Sequence, residues 1–197
     1  RVGKAVEALP ETTVASSFQL YQELGLRGEV NFPAFEQALK GFSRYASGQD
    51  RLLVLIDYTK PSTEKRFYIL DLLQKKLLLS TYVAHGRGSG DNYAVAFSNR
   101  PGSYQSSLGF FRTGDTYMGK NGYSLFLDGL EKGINDKARE RAIVVHGANY
   151  ADPAVLKGQQ RLGRSLGCPA LPPDISKQVI DTIKGGVLLY IYGLNKA

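Results

Sequence analysis

Arg164-Ser165-Leu166-Gly167-Cys168-Pro169, read together with His146-Gly147, is the stretch around which the rest of the chain can be organised. Cys168 is the only cysteine in 197 residues, and it follows a glycine in a loop-like segment rather than sitting inside an apolar run. A thiol in that setting is a candidate nucleophile. His146, the second of only two histidines, ends the apolar run Ala142-Ile143-Val144-Val145, which reads as a buried strand carrying an imidazole out at its end. The two residues are distant in sequence, so only the fold can bring them together. Cysteine and histidine that meet in this way commonly form a thiolate/imidazolium pair.

Working outward, the C-terminal flank gives Pro172-Pro173-Asp174 as a helix start, with Ile175, Val179 and Ile183 facing inward, then Gly185-Gly186 as a stop and Val187 to Tyr192 as a final strand. Before the motif, Asp152-Pro153 predicts a cap and a short helix from Ala154 to about Leu162. Glu131 to Arg141 reads as a polar connection. Phe110 to Gly114 and Tyr123 to Leu127 read as strands around the Lys120-Asn121-Gly122 turn. Ser98-Asn99-Arg100-Pro101-Gly102-Ser103-Tyr104 is a turn leading into a strand. The segment Ala84-His85-Gly86-Arg87-Gly88-Ser89-Gly90 has glycine at alternate positions, which opposes a regular element and allows close backbone approach. It lacks the Lys-Ser/Thr ending of a phosphate loop.

Upstream, Leu52 to Ile56, Phe67 to Leu70 and Leu77 to Val83 predict a β-meander. Two amphipathic helices precede it. One starts from a capping box at Ser16 and Gln19 and runs to Gly25; the other is capped by Asn31, with Pro33 in its first turn and Phe32, Phe35, Leu39 and Phe42 along one face. Residues Arg1 to Ala15 show no strong period and read as a lead-in. The expected architecture is mainly β, mostly antiparallel, with an N-terminal pair of helices and one late helix. Residues 1–48 would form a helical extension packed on the body and residues 49–197 the catalytic domain.

Composition is that of a globular chain, with 43% hydrophobic and 22% charged residues. No apolar run approaches the roughly 18 residues needed to span a bilayer, and no signal core follows Arg1. Either the protein is cytosolic or an export signal has been removed. The net charge of +7 favours anionic partners, but the basic residues are dispersed, which argues against a dedicated nucleic-acid arm. Two histidines and one cysteine have no metal-site spacing, so neither metal nor cofactor is expected.

The strand order, the Asn99 to Tyr104 turn (echoing a Thr-Pro-x-Gly-x-Phe pattern), His146-Gly147 and Ser165-x-Gly167-Cys168 together resemble the L,D-transpeptidase catalytic domain of the YkuD type, in particular its murein L,D-transpeptidase subgroup. The resemblance covers about Leu52 to Tyr192. It implies a β-sandwich or barrel and an enzyme that attacks an amide of a peptidoglycan stem peptide, forms a thioester on Cys168 and passes the acyl group to an amine. Carbapenem-type β-lactams would act as inhibitors, and the protein would be a monomer of the periplasm or cell envelope, with no nucleic acid partner. This chain has Leu166 where the family commonly has His or Arg, and Ala170 where it commonly has Arg or Asn.

In that chemistry His146 is the base that activates Cys168, whose free thiol would have a pKa of about 8.5. Gly167 and the Cys168 N–H are candidate oxyanion donors, with Gly147 supporting the motif. Ser165 either orients the imidazole, bonds substrate or caps a turn. Arg164, with Lys157 and Arg161 on a helical stripe, is a candidate for holding stem-peptide carboxylates. His85 and Tyr104 are candidate substrate contacts; the plain alternatives are a loop histidine satisfied by backbone and a packing tyrosine. Rival readings are a murein L,D-carboxypeptidase or hydrolase using the same pair, a degenerate peptidoglycan-binding module, and nucleic-acid binding on charge alone.

Overall fold

The computed structural model describes residues 14–47 and 50–196. The lead-in before residue 14 and the proposed boundary at 48/49 lie outside the described residues. Two helices, α1 (Val14–Glu23) and α2 (Phe32–Tyr45), precede eight strands: β1 (Leu52–Asp57), β2 (Phe67–Asp71), β3 (Lys76–Thr81), β4 (Gly109–Gly119), β5 (Gly122–Gly129), β6 (Val144–Gly147), β7 (Ala170–Leu171) and β8 (Leu188–Tyr192). Helix α3 (Pro173–Ile183) separates the last two. The fold is mainly β with three α-helices, two N-terminal and one late.

The strands form one sheet in the order β3-β2-β1-β8-β4-β5-β6-β7. Most neighbours are antiparallel, but β1 pairs with β8 and β6 with β7 in parallel. The sheet almost closes on itself. Past the end of β3 the chain reaches the other edge, where Ala84 bridges to Ala170 and Gly86 to Ser165. That seam places the glycine-rich segment against the cysteine loop.

Strand alternation explains why β1 and β2 read as unbroken apolar runs. Leu53, Leu55, Tyr68, Leu70 and Leu188 face one way and pack with Leu26, Phe35, Leu39 and Phe42 of the helical layer. Val54, Ile56, Phe67, Ile69, Leu189 and Ile191 face the other way, into a core shared with Val179, Ile180 and Ile183 of α3. Both faces of these central strands are therefore covered, which removes the polar half of the usual antiparallel pattern.

Several local expectations change. Helix α1 begins before Ser16, so Ser16 lies within it, and the Gln19 side chain donates to Glu23 Oε1 at 3.1 Å rather than closing a capping box. Asn31 is the N-cap residue of α2 as expected, but its side chain makes no capping bond; its amide donates instead to the buried Asp57 carboxylate at 2.8 Å. The strand expected after Tyr104 starts only at Gly109. The helix expected from Ala154 to Leu162 is a single 3-10 turn, Pro153–Lys157, so Lys157 and Arg161 share no helical face. Asp152 does cap that turn, accepting from the Ala154 N–H at 2.9 Å. Gly158 and the polar run after it offer no apolar stripe to carry a helix further.

Candidate active site

Strands β6 and β7 bring the two halves of the motif to one place. His146 pairs with Ala170, two residues beyond Cys168, and the His146 N–H approaches the Pro169 carbonyl at 3.4 Å. Cys168 is 8% exposed. Its Sγ donates towards the Ala142 carbonyl and accepts from the Val144 N–H, both at 3.4 Å. Ala142 has a φ of 54°, a left-handed conformation uncommon outside glycine. The strand leading to His146 thus begins with a strained turn whose carbonyl faces the thiol.

The imidazole is 3% exposed, and its Nδ1 lies 2.9 Å from the Gly147 carbonyl. A carbonyl can only accept, so the proton sits on Nδ1 and Nε2 carries the free lone pair. Glycine at 147 lets α3 pack close, because a Cβ there would come 2.5 Å from Ser176 Oγ and 2.9 Å from Ser176 Cβ. Among the described residues no hydrogen bond joins imidazole and thiol. Burial raises the Cys168 pKa, against smaller opposing contributions from the Val144 N–H, Arg141 and Lys120. Burial also lowers that of His146. Both shifts favour the uncharged forms, so the resting groups are thiol and imidazole instead of the expected thiolate and imidazolium.

The cysteine loop is braced by its own side chains. Ser165 Oγ donates to the Cys168 carbonyl at 2.6 Å and accepts from the Gly167 N–H at 3.1 Å. Ser165 is therefore a turn brace, and the Gly167 N–H is already engaged, leaving the Cys168 N–H as the loop donor without a hydrogen bond among the described residues. Gly167 has a φ of +127° and lies where a Cβ would touch the Gln105 carbonyl at 3.0 Å. Gly86 is equally constrained: a Cβ there would come 2.5 Å from the Tyr104 carbonyl and 2.8 Å from Gly167 Cα. The two glycine-bearing loops lie back to back, tied by the Arg87 N–H to Ser165 carbonyl bond of 2.8 Å and the Ser165 N–H to His85 carbonyl bond of 3.0 Å.

His85 does not line a cleft. It is 1% exposed, its Nδ1 accepts from Arg66 Nη2 at 2.9 Å and its Nε2 donates to the Gly90 carbonyl at 3.1 Å. Desolvation first, then the Arg66 charge, push its pKa down to about 3. The Arg164 guanidinium is also occupied, 3.2 Å from the Gly90 carbonyl and 3.4 Å from Asp91, which Arg161 approaches at 3.2 Å. Tyr104 is exposed, with a φ of 56° and the Arg87 guanidinium 4.5 Å above its ring. Leu166 is exposed on the rim, whereas Ala170 is fully buried among Ala84 and Ala151. The apolar residue at 170 fits a packed seam with no room for a long polar group.

Residues with no distinguishing local pattern also lie around the thiol. Arg141 Nη1 donates to the Ser98 carbonyl at 2.8 Å and to Ser107 Oγ at 2.6 Å, while its Nη2 bonds Ser103 Oγ at 3.2 Å and the Gln105 carbonyl at 2.8 Å. It clamps the Pro101-Gly102 turn against the cysteine loop and contributes positive charge near the sulfur. Lys120 does so from the tip of the β4–β5 hairpin. Tyr58 and Tyr150 are electrostatic neighbours of the same thiol. Their only sequence signal was residue type, which polar loops share. Among the described residues no cluster of three metal-ligating side chains occurs, and no helix is long and apolar enough to cross a membrane.

With fold and site in view, comparison with known proteins gives the class. The L,D-transpeptidase catalytic domain family of the YkuD_2 type matches residues 26–192, and the chain belongs to that family. Similar solved structures include an L,D-transpeptidase from Stackebrandtia nassauensis (14% identity, TM-score 0.45, 92% of this chain and 78% of that one) and the helical cell shape determining protein Pgp2 from Campylobacter jejuni (15%, 0.48, 75% and 50%). Another is the L,D-transpeptidase LdtMt1 in complex with imipenem (14%, 0.43, 73% and 59%). The chain thus spans about three fifths of LdtMt1 and half of Pgp2. No curated protein matches it.

Proposed function

We propose that this protein is a cysteine acyltransferase that remodels peptidoglycan stem peptides in the cell envelope, with Cys168 as nucleophile and His146 as general base and later general acid. The observation that carries this reading is the β6–β7 pairing. It sets an imidazole with its Nδ1 proton fixed by a backbone carbonyl beside the loop that holds the chain's one thiol.

On substrate binding, His146 Nε2 takes the thiol proton as sulfur attacks the carbonyl carbon. The C–N bond of the stem breaks and the imidazolium protonates the departing amine; an acceptor amine then attacks the thioester, giving its proton to His146, and the C–S bond breaks to return a thiolate that recovers that proton. The Cys168 N–H supplies the loop's donor to the oxyanion. The exposed Leu166 and the Arg87–Tyr104 pair form the rim over which a peptide would lie. Arg164 and His85 act from beneath it by holding the 85–91 segment in place, rather than by touching substrate.

Incubation with purified muropeptides should yield cross-linked dimers in the mass spectrum. Loss of the terminal residue without dimers would replace the transferase by the carboxypeptidase reading, and sacculus binding without any turnover would favour a wall-binding module.

Because burial lowers the His146 pKa, neutral imidazole persists as the pH falls through 6.5, the ordinary value. The acid limb of the acylation rate should therefore have its midpoint below pH 6.5. Replacing His146 with alanine should lower that rate by about 10²- to 10⁴-fold. Stopped-flow acylation by a carbapenem across pH checks both, and an acid limb above pH 6.5 would contradict the buried-base assignment.

A further inference from the structure

We propose that Tyr150 is a further catalytic residue, its hydroxyl being the hydrogen-bond donor that meets the Cys168 sulfur once the thiol has lost its proton. The proposal rests on the reading of Cys168 as nucleophile.

Tyr150 lies in the 3-10 turn Asn149–Ala151, four residues beyond His146. It packs on the cluster of small buried residues Ala84, Ala151 and Ala170, where the two edges of the sheet meet. Its backbone is clamped from the other side: the Gly163 N–H donates to the Tyr150 carbonyl at 2.8 Å. Any Cβ at 163 would come 2.3 Å from Tyr150 Cβ. Glycine at 163 lets the segment that continues into Ser165-Cys168 close onto the tyrosine, which is therefore held between the carriers of His146 and Cys168.

The phenol lies within electrostatic reach of Cys168 and of Tyr58, and Tyr58 lies within reach of Cys168 in turn. Tyr58 is fully buried, and its hydroxyl, near Ser106, makes no well-formed hydrogen bond with a described protein group. Tyr150 is half-buried, and no hydrogen bond to its hydroxyl occurs among the described residues. Two hydroxyls with no well-formed hydrogen bond among the described residues thus lie within electrostatic reach of one thiol, Tyr150 beside the cluster of Ala84, Ala151 and Ala170. Tyr58 is enclosed, so Tyr150 is the one a reacting group can meet.

Burial holds the Tyr150 pKa up at about 12, so the phenol stays protonated at physiological pH and serves as a donor, never as a base. Such a donor answers a specific need. Transfer of the Cys168 proton to His146 Nε2 creates charge in a site whose burial disfavours both ions, and a neutral O–H directed at the sulfur stabilises the anion while keeping its own proton. Also facing the thiol are the Ala142 carbonyl, to which Sγ donates, the Val144 N–H, the Arg141 guanidinium, already engaged by the 98–107 loop, and the Lys120 ammonium at an exposed hairpin tip.

The test is the pH profile of Cys168 alkylation by iodoacetamide, read as intact mass; with one cysteine in the chain, the signal is from a single site. Tyr150→Phe keeps the ring and its packing. Its midpoint should move up by about one pH unit, with alkylation near pH 7 slowed about tenfold. Tyr117→Phe, whose ring stacks on Phe126 in the β4–β5 hairpin, should retain the wild-type profile. A Tyr150→Phe protein with an unchanged thermal midpoint and a profile superimposable on wild type would overturn the proposal. A wild-type thiol that resists alkylation at every pH while folded would overturn the nucleophile reading as well, and is recognised without the variant.

Discussion

Cys168→Ala should abolish covalent capture of a carbapenem: intact-mass spectra should show the acyl adduct on the wild-type chain and none on the variant. No reactive resting thiolate is needed for this result. Burial keeps the thiol protonated, so in the proposed reaction its proton passes to His146 as substrate arrives. Without sulfur there is no atom to form the thioester, and neither the Cys168 N–H nor the imidazole can substitute. The fold should survive, because the sulfur's own bonds are two long contacts of 3.4 Å and the loop is closed by Ser165 Oγ instead. Loss of a side chain this small should cost about 1–2 kcal/mol. Cys168→Ser separates packing from chemistry: it should fold as well and remain unlabelled. An adduct on the alanine variant, or none on a folded wild-type protein, would sink the assignment.

Arg66→Met should be the most destabilising single change near the site, at about 3–5 kcal/mol in a denaturant titration. Arg66 is fully buried, and no carboxylate forms an ion pair with it among the described residues. Its guanidinium is held by the Val83 carbonyl from Nε at 3.0 Å and Nη2 at 2.7 Å, by the Lys60 carbonyl at 3.0 Å and by His85 Nδ1 at 2.9 Å. The Tyr58 ring adds a cation–π face at 4.8 Å. Burial still lowers its pKa to about 10, well above neutrality, so it stays charged. Methionine matches much of the volume but leaves two carbonyls and a ring nitrogen unpaired. Lysine should not rescue it, because one ammonium cannot reproduce the fork.

The same pair sets an acid limit. His85 is depressed from 6.5 to about 3, so the unfolded chain binds the extra proton throughout that interval and the folded one does not. Its contribution is complete above pH 6.5 and is lost progressively as the pH falls towards 3, up to about 5 kcal/mol by linkage. A denaturation midpoint independent of pH over this window would contradict the buried neutral His85.

His85 also shows where sequence reasoning reached its limit. A histidine among glycines looks like a cleft residue, yet the glycines serve the close approach of two backbones, and the imidazole is turned inward to a cation supplied by β2's leading edge. Nothing local to His85 identifies Arg66 as its partner. Arg141 and Tyr150 were missed for the same reason: each lies in a polar connection, and only tertiary packing, against the 98–107 loop for Arg141 and at the Ala84–Ala170 seam for Tyr150, gives them the thiol as a neighbour. The Ala154 to Leu162 segment had a sound start signal but no apolar stripe to continue it.

By itself the sequence determined that a lone thiol follows Ser-x-Gly, that an imidazole ends a buried strand, and that the body is a mainly β domain preceded by two helices and finished by one. These features are written in residue type, period and spacing, which act over a few neighbouring residues. Only the tertiary structure decided that β8 inserts between β1 and β4, that the sheet edges meet beside Cys168, and that thiol and imidazole rest uncharged. Strand order is a contest among non-local pairings, and the charge state follows from desolvation, so neither is carried by any short stretch of chain.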